Sequence, residues 1–267
     1  MLMISQLQYI CEILDQVGMA SCNPISTLMD PKKHYAPYHG EQPNCPYSTM
    51  ICSLMWVMLC TCPDIMFTVQ HLSQFTSCYS ADHISTIKQI FRYLKGMPGQ
   101  GITYAKSKSG LATIRFANTD FAEGYNCKSI TGTIFVMAGG AIAWNSKRQG
   151  MIALSTLEAE YTAISHAMHH ILWHKTLTHE LNLLDATPFW LNNNNHGAIA
   201  LSHDPQFHGH SKHIDIHHHF IHEHIEHGHI DIHHVPSTDN IDGLLTKSLP
   251  DTLFMKLVML IMMDDVA

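Results

Sequence analysis

From about residue 108 onward the sequence switches between two hydrophobic periodicities, and this restricts the fold more than any other feature. Leu111 to Phe116 and Gly132 to Met137 are apolar and β-branched, and Ala141 to Trp144 continues the pattern after Gly139-Gly140, as expected for strands joined by turns. Ser155 to Leu172 then changes to helical spacing. Leu157, Tyr161, Ile164 and Met168 form an apolar stripe, and Glu158, Glu160 and several alanines favour the helix. Phe189 to Leu191 predicts a short buried strand, Ala198 to Leu201 the start of a helix, and Ile214 to Ile225 a longer one. Ile230 to Val235 reads as a strand, followed by a closing helix from about Asp239. Three antiparallel strands followed by helix, strand, helix and strand give an α/β class: a mixed sheet flanked by helices.

The preceding hundred residues are mainly helical. Ile4, Leu7, Ile10, Cys11 and Leu14 recur at helical spacing and predict an amphipathic helix ending near Gly18, after which Pro24 and Pro31 break regular structure. Between Tyr47 and Lys106 the sequence predicts an apolar helix (Met50 to Thr61), a second after Pro63-Asp64, and a third from Ala81 to Leu94 that stops at Gly96. Residues 102–105 read as extended.

Charge excludes some partners. The formal net charge is −7, so no global basic field draws the chain to nucleic acid at neutral pH. Protonating all 23 His would take it to +16, so any such affinity is weak near neutrality and rises on acidification. Eight cysteines (Cys11, Cys22, Cys45, Cys52, Cys60, Cys62, Cys78 and Cys127) contain no CxxC pair and no zinc spacing; they read as small buried hydrophobes or incidental substitutions, and a disulfide framework would require secretion. Met1 to Ala20 lacks a basic leader and is interrupted by Gln6, Gln8, Glu12, Asp15 and Gln16, so it is weak as a signal peptide. The apolar run from Met50 to Cys62 is too short to span a bilayer, and the expectation is a soluble chain.

Several ordered motifs carry a resemblance. Ile4-Ser5-Gln6 through Tyr9-Ile10, with Pro24-Ile25-Ser26-Thr27 and Met29-Asp30-Pro31, resembles the trailing edge of the reverse transcriptase in copia-type retrotransposon Pol polyproteins. Tyr47-Ser48-Thr49-Met50-Ile51 through Pro63-Asp64-Ile65, then Phe91-Arg92-Tyr93-Leu94-Lys95-Gly96, is similar to their connecting region. Lys128-Ser129-Ile130-Thr131-Gly132, Trp144-Asn145-Ser146-Lys147-Arg148-Gln149 and Leu154-Ser155-Thr156-Leu157-Glu158-Ala159-Glu160-Tyr161 resemble their ribonuclease H (RNase H) region. Lys212-His213-Ile214-Asp215-Ile216 and Leu245-Thr246-Lys247-Ser248-Leu249-Pro250 complete the series. The resemblance implies an RNase H-like fold over 108–250, preceded by a reverse transcriptase remnant (1–33) and a helical connection (34–107), and followed by an apolar C-terminal helix or tail (251–267).

It also implies a catalytic quartet and its erosion. RNase H chemistry uses four carboxylates to hold two divalent ions about 4 Å apart. The four positions align with Asn118, Glu160, Asn194 and Gly243, so only Glu160 keeps its carboxylate. Asp120 lies about 7 Å along the strand from Asn118, and Asp242 about 100° round a helix from Gly243, so neither is expected to substitute. The expected outcome is loss of the ancestral Mg²⁺ site, no metal or other cofactor, and no enzyme activity. Polymerase aspartates are also missing: Asp264-Asp265 lies in the tail.

Two further features bear on present function. Thirteen His lie between His203 and His234, and His213/His217 and His218/His222 have the i, i+4 spacing of a two-His metal site. The favoured reading is replacement of Arg and other polar residues by mutational decay. Leu253, Phe254, Leu257, Val258, Leu260 and Ile261 form an apolar tail, expected to pack on the chain's own core. The chain also resembles copia-derived proteins known as secreted RxLR effectors of oomycete plant pathogens. That implies delivery into a host cell and suppression of host cell death or immunity through an unknown host protein. Its nearest match to the translocation motif is Arg92-Tyr93-Leu94-Lys95. The alternatives are a retroelement relic without a role and residual Mg²⁺-dependent cleavage of RNA in RNA–DNA hybrids.

Overall fold

The computed structural model describes residues 1–97, 99–105, 113–122, 126–183, 188–203 and 212–262, with side chains of 212–218 excluded. It begins with a strand where helical spacing predicts a helix. β1 (Leu2–Ser5) pairs antiparallel with β2 (Gly101–Tyr104), placing Ile4 opposite Ile102. Helix α1 therefore starts only at Leu7 and runs to Gln16, burying Ile10, Ile13 and Leu14.

The connection helices follow the expected order. Helix α2 (Tyr47–Cys60) buries Tyr47, Met50, Ile51, Leu54, Val57 and Met58. A 3₁₀ turn at Pro63–Ile65 leads into α3 (Met66–Ser73), and α4 (Ala81–Gly96) starts from a capping box in which Ser80 and His83 serve each other's backbone.

Among the described residues, five strands build the main sheet. Strands β3 (Thr113–Asp120), β4 (Ile130–Met137) and β5 (Gly140–Arg148) form an antiparallel meander. Helix α5 (Thr156–Glu180) then returns the chain to β6 (Phe189–Asn193), which lies parallel to β3. Helices α6 (His196–His203) and α7 (Lys212–Glu226) lead to β7 (Ile230–His234), parallel to β6, and the sheet order is β5-β4-β3-β6-β7. This topology is RNase H-like. The closing helix expected from Asp239 is instead two: a short α8 (Gly243–Thr246) and α9 (Asp251–Met262). Pro250 at the break lacks the N–H a continuous helix needs.

Alternation along the central strands sends side chains into two cores. Phe116 and Ile134 join the first, with α1 to α4, α8 and α9; Ala117 and Phe135 join the second, with α5 to α7. A one-residue slip would exchange these sets, so burial on both faces fixes the register. The first core draws on Ile10, Leu54, Ile134 and Leu257, one from each of the four spans read from the sequence. Trp144 on β5 adds a polar tie, donating its indole N–H to the Met58 carbonyl at 2.8 Å. The apolar tail packs as expected through Phe254, Leu257, Val258 and Ile261, while Leu260 faces outward. All eight cysteines are free; Cys62 is buried, but Cys11, Cys52 and Cys127 are exposed, which corrects the reading of the set as buried hydrophobes.

Candidate active site at the split between two parallel strands

Strands β3 and β6 pair only through Arg115 with Leu191 and Phe116 with Asn192, then part. Asn118 and Asn193 lie just past this split, at the carboxyl ends of the parallel strands, where α/β sheets characteristically open a ligand crevice.

Glu160 reaches the split from the second turn of α5. Two local features set that helix: Ser155 accepts the Glu158 backbone N–H at 3.1 Å, and the Glu158 carboxylate accepts the Leu154 N–H at 2.7 Å. Glu158 is thus committed to the helix start, whereas Glu160 points to the sheet. Its Oε2 accepts from Asn193 Nδ2 at 3.2 Å, and the same amide nitrogen donates to the Ala117 carbonyl at 2.9 Å. Burial pushes the Glu160 carboxyl up to about 7, outweighing the Asn193 amide, the Thr119 backbone N–H and the attraction of Lys247.

Asp242 approaches from the opposite face of the sheet. It is fully buried, and burial, then the neighbouring Glu160 carboxylate, raise its carboxyl well above the usual range. The Asn118 backbone N–H offsets this only in part, and neither Asp242 oxygen completes a well-formed hydrogen bond. Gly132, paired with Asn118 in the β3–β4 register, permits this approach. A Cβ there would collide with the Asp242 carboxylate and crowd Thr246 and Leu245, which gives the Thr131-Gly132 motif its physical reason.

The expected quartet is therefore partly re-registered. Asn118 and Glu160 stand at the split. Asn194 does not: it is half-buried and donates to Ser237 Oγ at 2.9 Å, while Asn193, one residue earlier and fully buried, lies against Glu160. Strand alternation lasts through Asn193, and the chain turns at Asn195, whose N–H returns to Asn193 Oδ1. At the fourth position Gly243 has no side chain to offer, and Asp242 faces the site. The 100° argument against it assumes α-helical winding. Here Gly243, Leu244 and Leu245 donate to Asn240, Ile241 and Asp242, the tighter i to i+3 pattern, with Asp242 outside the helix as its cap. Asn193 was hidden in a run of four asparagines, and Asp242 would have needed knowledge of that turn. Asp120 is partly exposed, adds to the upward push on Glu160, and lines a separate cavity of about 290 Å³ with Tyr35 and His71. The site thus holds two carboxyls and two amides, and both carboxyls are biased toward their neutral forms.

Most of the His-rich tract lies on α7 and the turn after it, but its last member, His234, is the register partner of Asn193 across β6 and β7. His224 Nδ1 sits 3.1 Å from His229 Nδ1, and His196 stacks on His234 with ring centroids 3.7 Å apart. The His213/His217 and His218/His222 pairs involve side chains outside the described residues. Among the described residues no group of three or more His, Cys, Asp or Glu is arranged to hold a metal ion.

Over 262 residues, 95% of its length, the chain is 33% identical to the retrovirus-related Pol polyprotein from transposon TNT 1-94 of Nicotiana tabacum. It belongs to the copia-type Pol family. A second Pol polyprotein, from transposon RE1 of Arabidopsis thaliana, is 32% identical over 94% of the chain. The chain spans about one fifth of these polyproteins, 20% and 17% of their lengths. This Pol-family chain is also 31% identical over 131 residues to secreted RxLR effector protein 161 of Plasmopara viticola, covering 49% of the chain and 92% of that protein. Solved structures similar to it include LC11-RNase H1 in complex with an RNA/DNA hybrid (14% identity, 48% of this chain and 88% of that one, TM-score 0.36). Another is the N-terminal RNase H domain of rv2228c from Mycobacterium tuberculosis (11% identity, 56% and 97%, TM-score 0.38). No protein-family profile matches.

Proposed function

We propose that this Pol-family chain is an RNase H-like protein that does not hydrolyse RNA and acts by binding a partner. The observation that carries the reading is the donor set at the strand split: Glu160 and Asp242 as carboxyls, Asn118 and Asn193 as amides. Two divalent ions about 4 Å apart demand hard anionic oxygens to balance their charge. An amide oxygen supplies a lone pair but no charge. Burial biases both carboxyls toward neutrality, and Glu160 Oε2 is already engaged by Asn193. This set does not fit the ion pair, so we derive no hydrolytic step and assign no resident metal or other cofactor.

The test is cleavage of an RNA–DNA hybrid by the purified chain in Mg²⁺ and in Mn²⁺. No turnover is expected in either. Clear turnover that disappears in Glu160→Ala would overturn the proposal.

The most specific binding role is that of a secreted pathogen effector that suppresses plant host cell death or immunity through a host protein. What supports it is the match across 92% of a protein named as a secreted RxLR effector. No described helix is long and apolar enough to cross a membrane, which is consistent with delivery as a soluble chain. Transient expression in leaf tissue challenged with a death elicitor should delay cell death. An unchanged response would refute the effector role while leaving the loss of hydrolysis standing.

A further inference from the structure

A second concave site lies on the other side of α5 from the carboxyl pair. Glu160 and Glu158 are two residues apart, about 200° round the helix. The face carrying Glu158, Tyr161, Thr162 and His166 looks away from the strand split and toward the edge strand β5. Between this face and the sheet is a cavity of about 240 Å³, its wall formed by Thr131 and Lys147, direct partners on β4 and β5. Met151 and Ala153, in the connection from β5 to α5, close its top.

The back wall is held in place. Gln149 donates from Nε2 to both Thr131 Oγ1 and the Ala159 carbonyl at 2.9 Å, locking sheet to helix, so the cavity is preformed. Its polar groups differ in how far they are committed. Arg148 donates to Gln74 Oε1 at 2.8 Å, Lys128 donates to the Gly150 carbonyl at 2.6 Å, and the Glu158 carboxylate accepts the Leu154 N–H. Lys147, by contrast, has no carboxylate partner among the described residues. The His166 ring is partly buried, and its Nδ1 is shielded from solvent without a hydrogen bond.

The groups facing His166 are Lys147 from β5 and Tyr161, His169 and His170 from its own helix, with Arg148 and Glu158 also on the cavity wall. Burial first, then the positive neighbours His170 and Lys147, lower its proton affinity to a pKa of about 4. An anion placed between Lys147 and His166 would reverse that field and give the Lys147 ammonium an acceptor. The remaining lining, the Met151 thioether, the Tyr161 ring and the Thr162 methyl, suits a flat apolar body. The volume lies just below the usual range for drug-sized ligands, which limits the body to one or two rings.

We propose that this cavity binds a planar aromatic carboxylate of one or two rings, with its carboxylate between Lys147 and His166 and its rings against Met151, Tyr161 and Thr162. Binding here is independent of the ancestral catalytic site, because Glu160 is on the opposite side of the helix.

The test uses 2-naphthoate as the probe and its neutral analogue 2-naphthamide as the control, titrated into the full chain by calorimetry. The His166 ring is followed in parallel by NMR. Naphthoate should bind at one saturable site and raise the pH at which His166 takes up its proton. Lys147→Met should weaken binding about tenfold, the loss of one charge-assisted hydrogen bond. Thr162→Trp should fill the cavity and abolish binding with the urea midpoint retained; Met151→Trp serves the same purpose from the roof if the helix substitution unfolds the chain. The proposal fails if naphthamide binds as tightly as naphthoate, if Lys147→Met leaves affinity unchanged, or if neither heat nor His166 shift is seen up to the solubility limit of the probe.

Discussion

Replacing Glu160 with Gln isolates the cost of a carboxyl held in a dry cleft. Glu160 is 6% exposed, and its carboxyl is raised from 4.5 to about 7. In the unfolded chain it ionises near 4.5, so between these two values the folded state holds the extra proton. Stability from this group is therefore full below about pH 4.5 and is lost as pH rises to about 7. At about 1.4 kcal/mol per unit, the loss amounts to about 3 kcal/mol. Glu160→Gln keeps an oxygen to accept from Asn193 but cannot ionise, so it should match the parent near pH 4.5 and exceed it by about 3 kcal/mol at pH 8. The assay is a series of urea melts by circular dichroism from pH 4.5 to 8.5, with both proteins in the same buffers. The histidines are common to both and cancel in the difference. A stability difference that does not change with pH, or a variant less stable than the parent at pH 8, would refute the reasoning. It would mean that Glu160 is ionised in the fold and held by a positive partner.

Three other outcomes follow from single sites. His71 packs among Tyr35, Phe67 and Phe75, and burial lowers it to about 4. Its contribution is therefore present above about pH 6.5 and lost as pH falls toward 4, and His71→Phe should raise stability by about 3 kcal/mol at pH 4 and little at pH 8 in urea melts. Gly132→Ala should cost about 2 kcal/mol or more, because the new methyl meets the Asp242 carboxylate and Thr246; thermal melts should show the loss, and Asp242→Ala in the same chain should recover part of it. Ser155→Ala removes the acceptor of the Glu158 N–H and should cost about 1 kcal/mol, with the loss appearing in the urea midpoint at unchanged slope.

What could be read from the sequence divides along the range of the interactions involved. The sheet meander, α4 and α5 were legible because each is specified by its own periodicity, such as the stripe of Leu157, Tyr161, Ile164 and Met168 in α5. β1 was not, because what makes Leu2–Ser5 extended is β2, nearly a hundred residues away. The same holds at the site. The resemblance names Asn118 and Glu160, which the structure brings to one strand split. It also names Asn194 and Gly243, and the side chains that neighbour Glu160 are those one residue earlier, Asn193 and Asp242, because one residue of register is decided by how β6 ends and how the turn before α8 winds. Asp242 matters most: an acidic group sits where the alignment sees none. The cavity beside Lys147 had no motif of its own, since its walls come from β4, β5 and the outer face of α5.

The first core, shared by residues from both ends of the chain, also governs what a protease could release. A cut between β2 and β3 would sever the peptide but not the hydrophobic cover that α1 to α4 give to the sheet. The two pieces would remain a noncovalent pair, copurifying through a tag on either one and separating only in denaturant. A piece beginning at β3 and made alone would keep α8 and α9 on that face but lose the cover α3 gives β5, and the apolar surface so bared would favour self-association. The helical half is therefore held to the sheet by apolar contact as well as by the backbone that joins them.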